Sequence, residues 1–186
     1  MSATKINTYT GSFGCPRRFY YRYIAKLDQK PSIHFPIGNV PHNTLEAVFK
    51  LKIPLQVEDP DEFNAAVLNL HHAYWNKHLP EFEQFNLTDT ELSDLYAESR
   101  QMIKNWLNLY HREEVKDHNP LVEQMLWARD LKMYCRADHI SKGKTPGIFY
   151  IKDYKCGRSN KIYKDTRFQL VFNWICYREE TANIRH

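Results

Sequence analysis

The sequence predicts an α/β domain, a sheet meander flanked by helices, with a helical hairpin inserted ahead of the sheet. Two long stripes of apolar residues at helical spacing occupy residues 59–116, and from residue 120 the period shortens to the alternation of strands. At 186 residues the chain suits one domain, 1–186, able to bury about 70% of its unfolded surface. Twelve Tyr and ten Phe favour strands and aromatic packing. No apolar run reaches the ~20 residues needed to cross a membrane, and the opening MSATKINTYTGSF lacks the apolar core of an export signal. Cys15, Cys135, Cys156 and Cys176 are scattered, with no C-x-x-C pair. They read as reduced thiols of a cytoplasmic protein.

Charge is segregated along the chain. Lys and Arg outnumber Asp and Glu by 8 to 2 in residues 1–57 and by 12 to 5 in residues 131–186, whereas residues 58–118 carry 5 against 13. A polyanion would meet the basic ends, and the acidic middle would face away from it or dock a protein partner.

Taken in order, Cys15-Pro16 opens a helix with proline at its first position. Phe19 and Tyr23, and Tyr20 and Ile24, give it an apolar face beside Arg17, Arg18 and Arg22. Pro41 is expected at the start of the next helix, placing His42 in the first turn and in line with Glu46. Asp59-Pro60 caps the first hairpin helix, whose stripe is Phe63, Val67, Leu70 and Tyr74 and which should end near Leu79-Pro80. Thr88-x-x-Glu91 is a capping box for the second, with Leu92, Leu95, Ile103, Trp106, Leu107 and Tyr110 as its stripe. Residues 59–117 thus form an acidic helical insertion, with His71, His72, His78, His111 and His118 read as surface residues. Pro120–Trp127, Leu131–Ile140 and Ile148–Lys155 follow as strands. A helix over Ile162–Tyr177 should bury Phe168, Val171, Phe172 and Ile175.

Chemistry concentrates at Ile151-Lys-Asp-Tyr-Lys-Cys-Gly157. Along a strand, Asp153 and Lys155 share a face while Lys152 and Tyr154 take the other. A carboxylate able to hold a divalent cation beside an ammonium able to steady an anion suits phosphodiester hydrolysis. The pair alone is common in solvated strands. The other polar residues that interrupt strands or open helices are His42, Glu123, Asp138 and Gln169.

In order, CPRRFYYRY, GNVPHNTLE, VEQML, CRADHI, IKDYKCG and FQL resemble the RecB-like branch of the PD-(D/E)XK nucleases. The resemblance runs from residue 15 to 170 and leaves out the helical insert. It implies a restriction-endonuclease-like mixed sheet core. It also implies His42, Asp138, Asp153 and the Tyr154 backbone carbonyl as ligands of Mg²⁺ or Mn²⁺, with Lys155 acting on the attacking water and the phosphate. Gln169 would lie near the site, and Glu123 would be the acidic residue of the first strand. Three positions depart from the pattern: Cys135 replaces a usual Gly, Cys156 a usual Thr or Ser, and Asn173 a usual Tyr. The CRISPR-adaptation nucleases of this branch hold an iron–sulfur cluster through one early cysteine and a later trio. Cys15 fits the early position but no trio follows, so no cluster is expected.

The expectation is a metal-dependent deoxyribonuclease, exonuclease-like, acting on single-stranded DNA or duplex ends. Arg17, Arg18, Arg22, Arg158, Lys161, Lys164 and Arg167 would grip the DNA backbone. The competing reading is a non-catalytic DNA-binding or scaffold subunit that docks a partner through the acidic insertion.

Overall fold

The computed structural model describes residues 1–113, 116–155 and 162–183. Its elements are α1 (Ala3–Thr10), α2 (Pro16–Phe19) running into a π-helical turn (Tyr20–Ile24), α3 (His34–Lys50), α4 (Ile53–Gln56), α5 (Pro60–Glu83) and α6 (Asp89–Arg112). Then come β1 (Leu121–Ala128), β2 (Met133–Lys142), β3 (Phe149–Lys152) and α7 (Lys164–Asn183). The sheet has order β1-β2-β3, antiparallel throughout among the described residues. This is the restriction-endonuclease-like α/β arrangement, with helices on both faces of the sheet.

The two faces have separate cores. On one, Leu126, Ala128, Cys135, Ala137 and Ile140 pack against Phe172 and Cys176 of α7 and Ala3 of α1. On the other, Leu45, Val48 and Phe49 of α3 meet Phe63 and Val67 of α5 and Ile103, Leu107 and Tyr110 of α6, with Val122 and Tyr154 against them. A third cluster, around Val40, Trp75 and Phe82, closes the far end of the hairpin on α3. Cys135 therefore stands where a glycine was expected because a small apolar side chain fills the gap to Cys176. Both thiols are buried.

The helix caps follow the sequence. Asp59 accepts from the backbone of Asp61 and Glu62, each at 2.9 Å, and the Thr88–Glu91 capping box is complete. Four expectations are corrected. First, α3 begins at His34, so Pro41 lies inside the helix and His42 sits turns beyond its start. The interior proline forgoes one backbone hydrogen bond, a cost offset by burial of Ile37, Val40, Pro41, Leu45 and Val48 along the same helix. Likewise α5 runs through Pro80 to Glu83, because Phe82 is buried against Trp75, with ring centroids 4.9 Å apart.

Second, Tyr20 and Ile24 are exposed, and only Phe19 and Tyr23 turn inward, Phe19 against Tyr9 at 5.4 Å. The wider π turn breaks the four-residue repeat on which an apolar face for both pairs depended. Third, the buried row of α7 is Phe172, Asn173 and Cys176, while Phe168 and Val171 are exposed. Fourth, two of the hairpin histidines are core residues. His71 Nε2 meets Ser99 Oγ at 2.9 Å between α5 and α6. His78 bridges Glu81 at 2.6 Å and Asn43 of α3 at 2.9 Å. No helix is long and apolar enough to cross a membrane among the described residues.

Candidate metal and catalytic site

Four elements and one extended segment bring the polar residues together at one end of the sheet. α3 supplies His42, β1 Glu123, and β2 Asp138; the extended segment after β3 supplies Asp153, Tyr154 and Lys155, and α7 supplies Gln169. The strand expected to run to Lys155 leaves the ladder at Lys152, yet the side chains still alternate. Lys152 is ion-paired with Glu113 at the end of α6, and the Tyr154 hydroxyl shares a 3.0 Å hydrogen bond with His139 Nδ1. Asp153 and Lys155 turn together to the opposite side, Lys155 Nζ lying 2.6 Å from Asp153 Oδ2.

Gln169 fixes that pair. Its amide nitrogen donates to Asp153 Oδ1 at 2.9 Å and its carbonyl oxygen accepts from Lys155 Nζ at 3.0 Å. One amide thereby holds both charged groups in a set orientation. α7 is anchored a turn earlier, where Asp165 accepts from the backbone N–H of Ser12 at 3.1 Å and from its hydroxyl at 3.0 Å. The loop carrying Ser12 is tight. A Cβ at Gly11 would lie 2.6 Å from Asn7 O, and one at Gly14 2.6 Å from Gly11 N, so neither position admits a side chain without moving backbone.

His42 Nδ1 lies 3.7 Å from Asp138 Oδ2 and 3.9 Å from Glu123 Oε1, and one ligand atom of each falls within 4.8 Å of the others. Glu123 reaches this group through unusual backbone. The β1–β2 register pairs Val122 with His139 and Gln124 with Ala137, stepping over Glu123 and Asp138, and Glu123 has φ 49°. That left-handed conformation costs an L-residue about 1–2 kcal/mol. The interruption also changes which way β2 faces: Ala137 and Ile140 both enter the α7 core, while His139 between them stacks edge-on to Phe49 of α3 at 5.0 Å. Asp138 is thus aimed at His42.

The electrostatics fit a cation. Burial pushes the Asp138 carboxyl up to about 6; the His42 charge and the Tyr154 N–H, which donates to Oδ2 at 2.8 Å, pull it back, and Asp153 and Glu123 push it further up. The Asp153 side chain is 3% exposed, and no donor meets its Oδ2 with hydrogen-bonding geometry despite the nearby Lys155 ammonium. Three carboxylates gathered with one buried, under-satisfied oxygen and a neutral-capable imidazole form a nitrogen–oxygen donor set for a hard or borderline divalent ion. Asp153 is not within the 4.8 Å group; it adjoins it through the Tyr154 N–H on Asp138.

Sequence reasoning passed over His139. It is buried, and burial and then the Lys152 charge lower its pKa to about 4, so it stays neutral and supports Tyr154. Strict alternation along Arg136-Ala-Asp-His-Ile140 would send His139 to the face opposite Asp138, whereas both turn toward α3, so the sequence carried no signal for it. Of the basic residues, Arg17, Arg18, Lys164 and Arg167 are exposed and Arg22 is half-buried. Arg158 and Lys161 lie outside the described residues, as does Cys156. Cys15 caps α2 through its sulfur. A larger cavity, about 480 Å³, lies between β3 and α7 around Phe149, Trp174 and Arg178. None of the carboxylates above lines it, so the chemistry does not belong there.

A family model described as the PD-(D/E)XK nuclease superfamily matches residues 1–183. The chain belongs to that superfamily. No curated protein and no solved structure gives a match. As a member of the PD-(D/E)XK nuclease superfamily the chain has a nuclease fold, with nucleic acid as the implied substrate, and its His–Glu–Asp group is a candidate metal site.

Proposed function

We propose that the protein is a divalent-metal-dependent deoxyribonuclease of the RecB-like branch, exonuclease-like in action. The observation that carries this reading is the joint hold of Gln169 on Asp153 and Lys155, beside a His42–Glu123–Asp138 group. His42, Asp138 and Asp153, with the Tyr154 carbonyl, would hold Mg²⁺ or Mn²⁺, and Glu123 would lend its charge. When bound, such an ion supplies Lewis-acid stabilisation of phosphoryl charge and eases deprotonation of the attacking water.

The remaining work belongs to the side chains. Lys155, half-exposed and tied to Asp153 and Gln169, presents an ammonium where negative charge develops on the phosphate, and it orients a water for in-line attack. The Tyr154 N–H keeps Asp138 Oδ2 directed into the site. Arg17, Arg18, Arg22, Lys164 and Arg167 are the proposed backbone contacts. They lie on α2, its π-helical turn and the start of α7, and the loop leading into α2 is tied to α7 through Ser12 and Asp165, which supports a shared surface.

The test is cleavage of end-labelled DNA with Mg²⁺ or Mn²⁺ against EDTA, comparing wild type with Asp153→Ala and Lys155→Ala. Loss of cleavage by roughly 10²–10³-fold or more in each is expected. Undiminished cleavage by either variant would overturn the assigned roles. DNA binding without turnover in any metal would favour the scaffold reading.

A further inference from the structure

A cavity of about 390 Å³ opens against the proposed catalytic pair, within the roughly 300–1,000 Å³ of small-ligand sites. One wall is the Asp153–Lys155 segment, and the other is the face of α6 that carries Met102, Asn105, Trp106 and Leu109. The hairpin helix, whose acids Asp89, Glu91, Asp94 and Glu98 all lie in its first ten residues, brings its non-acidic second half to the site's surroundings. Its pocket-lining residues are uncharged apart from Glu113, which is paired with Lys152, and Asp153 opposite is paired with Lys155. A phosphate approaching Lys155 meets no uncompensated carboxylate there.

We propose that this cavity receives an unpaired nucleobase of the nucleotide adjoining the phosphate at Lys155. Single-stranded DNA or a frayed end is then the substrate. The inference rests on the nuclease reading of the neighbouring site. Trp106 has its ring set by its neighbours, stacked on Tyr110 at 5.1 Å and 21° and edge-on to Phe49 at 6.0 Å. Leu109, at the rim, is 62% exposed, an apolar surface that a base would cover. Asn105, whose side-chain oxygen accepts from Gln101 at 2.9 Å, offers an amide at the mouth. Aromatic and apolar walls accept any base by its π-face, giving grip with little sequence preference. A base stacked and paired in a duplex cannot enter.

The experiment measures binding of a fluorescent single-stranded oligodeoxynucleotide to the full chain with Ca²⁺ in place of Mg²⁺. The same strand is then tested with one abasic site moved along it, and with a fully paired complement. At one position the abasic strand should bind about tenfold more weakly, in keeping with the loss of one stacked base, and the blunt duplex should bind weakly too. Leu109→Glu, at an exposed position, should bring the intact strand down to the abasic level, and Leu109→Phe should preserve the difference. Equal affinity at every abasic position, or a duplex bound as tightly as the single strand, would overturn the proposal. Because binding is read without turnover, failure to cleave DNA in any metal counts against the nuclease reading alone.

Discussion

Glu123 carries both strain and charge, and the two make separable predictions. Glycine adopts φ 49° without steric cost, and this relief exceeds the roughly 0.5–1 kcal/mol of backbone entropy that glycine adds to the unfolded chain, so Glu123→Gly should raise the thermal stability of the metal-free protein slightly, by about 0.5 kcal/mol. Loss of the carboxylate should at the same time shrink the stabilisation that Mn²⁺ confers. Calorimetric melting with and without Mn²⁺ checks both, and an unchanged response to Mn²⁺ would remove Glu123 from the site. Gln169 makes a different prediction, because it reaches the chemistry only through Asp153 and Lys155. Gln169→Leu should lower kcat by roughly 10- to 100-fold, the usual effect of removing a group that orients ligands, with little change in DNA affinity. Matched kinetic and binding titrations would show the split. At this scale the Asp153–Lys155 pair was legible, since alternation alone puts both on one side. The reach of Glu123 was not, because nothing in VEQML signals a left-handed residue in a strand.

The helical hairpin helps set the protein's response to acid. Burial, then the Arg100 and His72 charges, lowers the pKa of His71 to about 4, and His139 is likewise lowered to about 4. Below pH ~6.5 the unfolded chain takes up protons that the folded chain refuses until about 4, so each histidine subtracts stability as the pH falls through that window. Asp138 acts in the opposite sense. Its folded pKa of about 6 exceeds the ordinary 3.8, so its protonation as the pH falls from about 6 favours the folded state. At pH 5 the two histidines cost about 4 kcal/mol relative to pH 7 and Asp138 returns about 1, for a net loss of about 3 kcal/mol. Denaturant titrations in EDTA at the two pH values measure it. Replacing the polar pair, as His71→Leu with Ser99→Ala, should remove about half of the histidine contribution. A variant with wild-type pH dependence would exclude His71 as a source. Caps and stripes made this hairpin readable as two helices. The burial of His71 was not readable, because its partner Ser99 lies on the other helix and only the packing of α5 on α6 joins them.

For the whole molecule, the segregated charge has a measurable consequence. On the proposed role of the basic residues of α2 and the start of α7 as phosphate contacts, log affinity for DNA should fall linearly with log salt. Replacing Arg17, Arg18, Lys164 or Arg167 by Ala should flatten that slope by about 0.7–0.9 for each phosphate no longer neutralised. Slopes that do not change in any of these variants would move the nucleic-acid path elsewhere. The sequence by itself determined the α/β class, the order of elements and the residue types of the candidate site, because these rest on local periodicity, caps and ordered motifs. Only the tertiary structure decided where helices pass through their prolines, which histidines are interior, how one amide of α7 grips both Asp153 and Lys155, and that α6 borders the same site. These depend on burial and on contacts between residues far apart in the chain. Such contacts outweigh local propensity wherever a core must be filled.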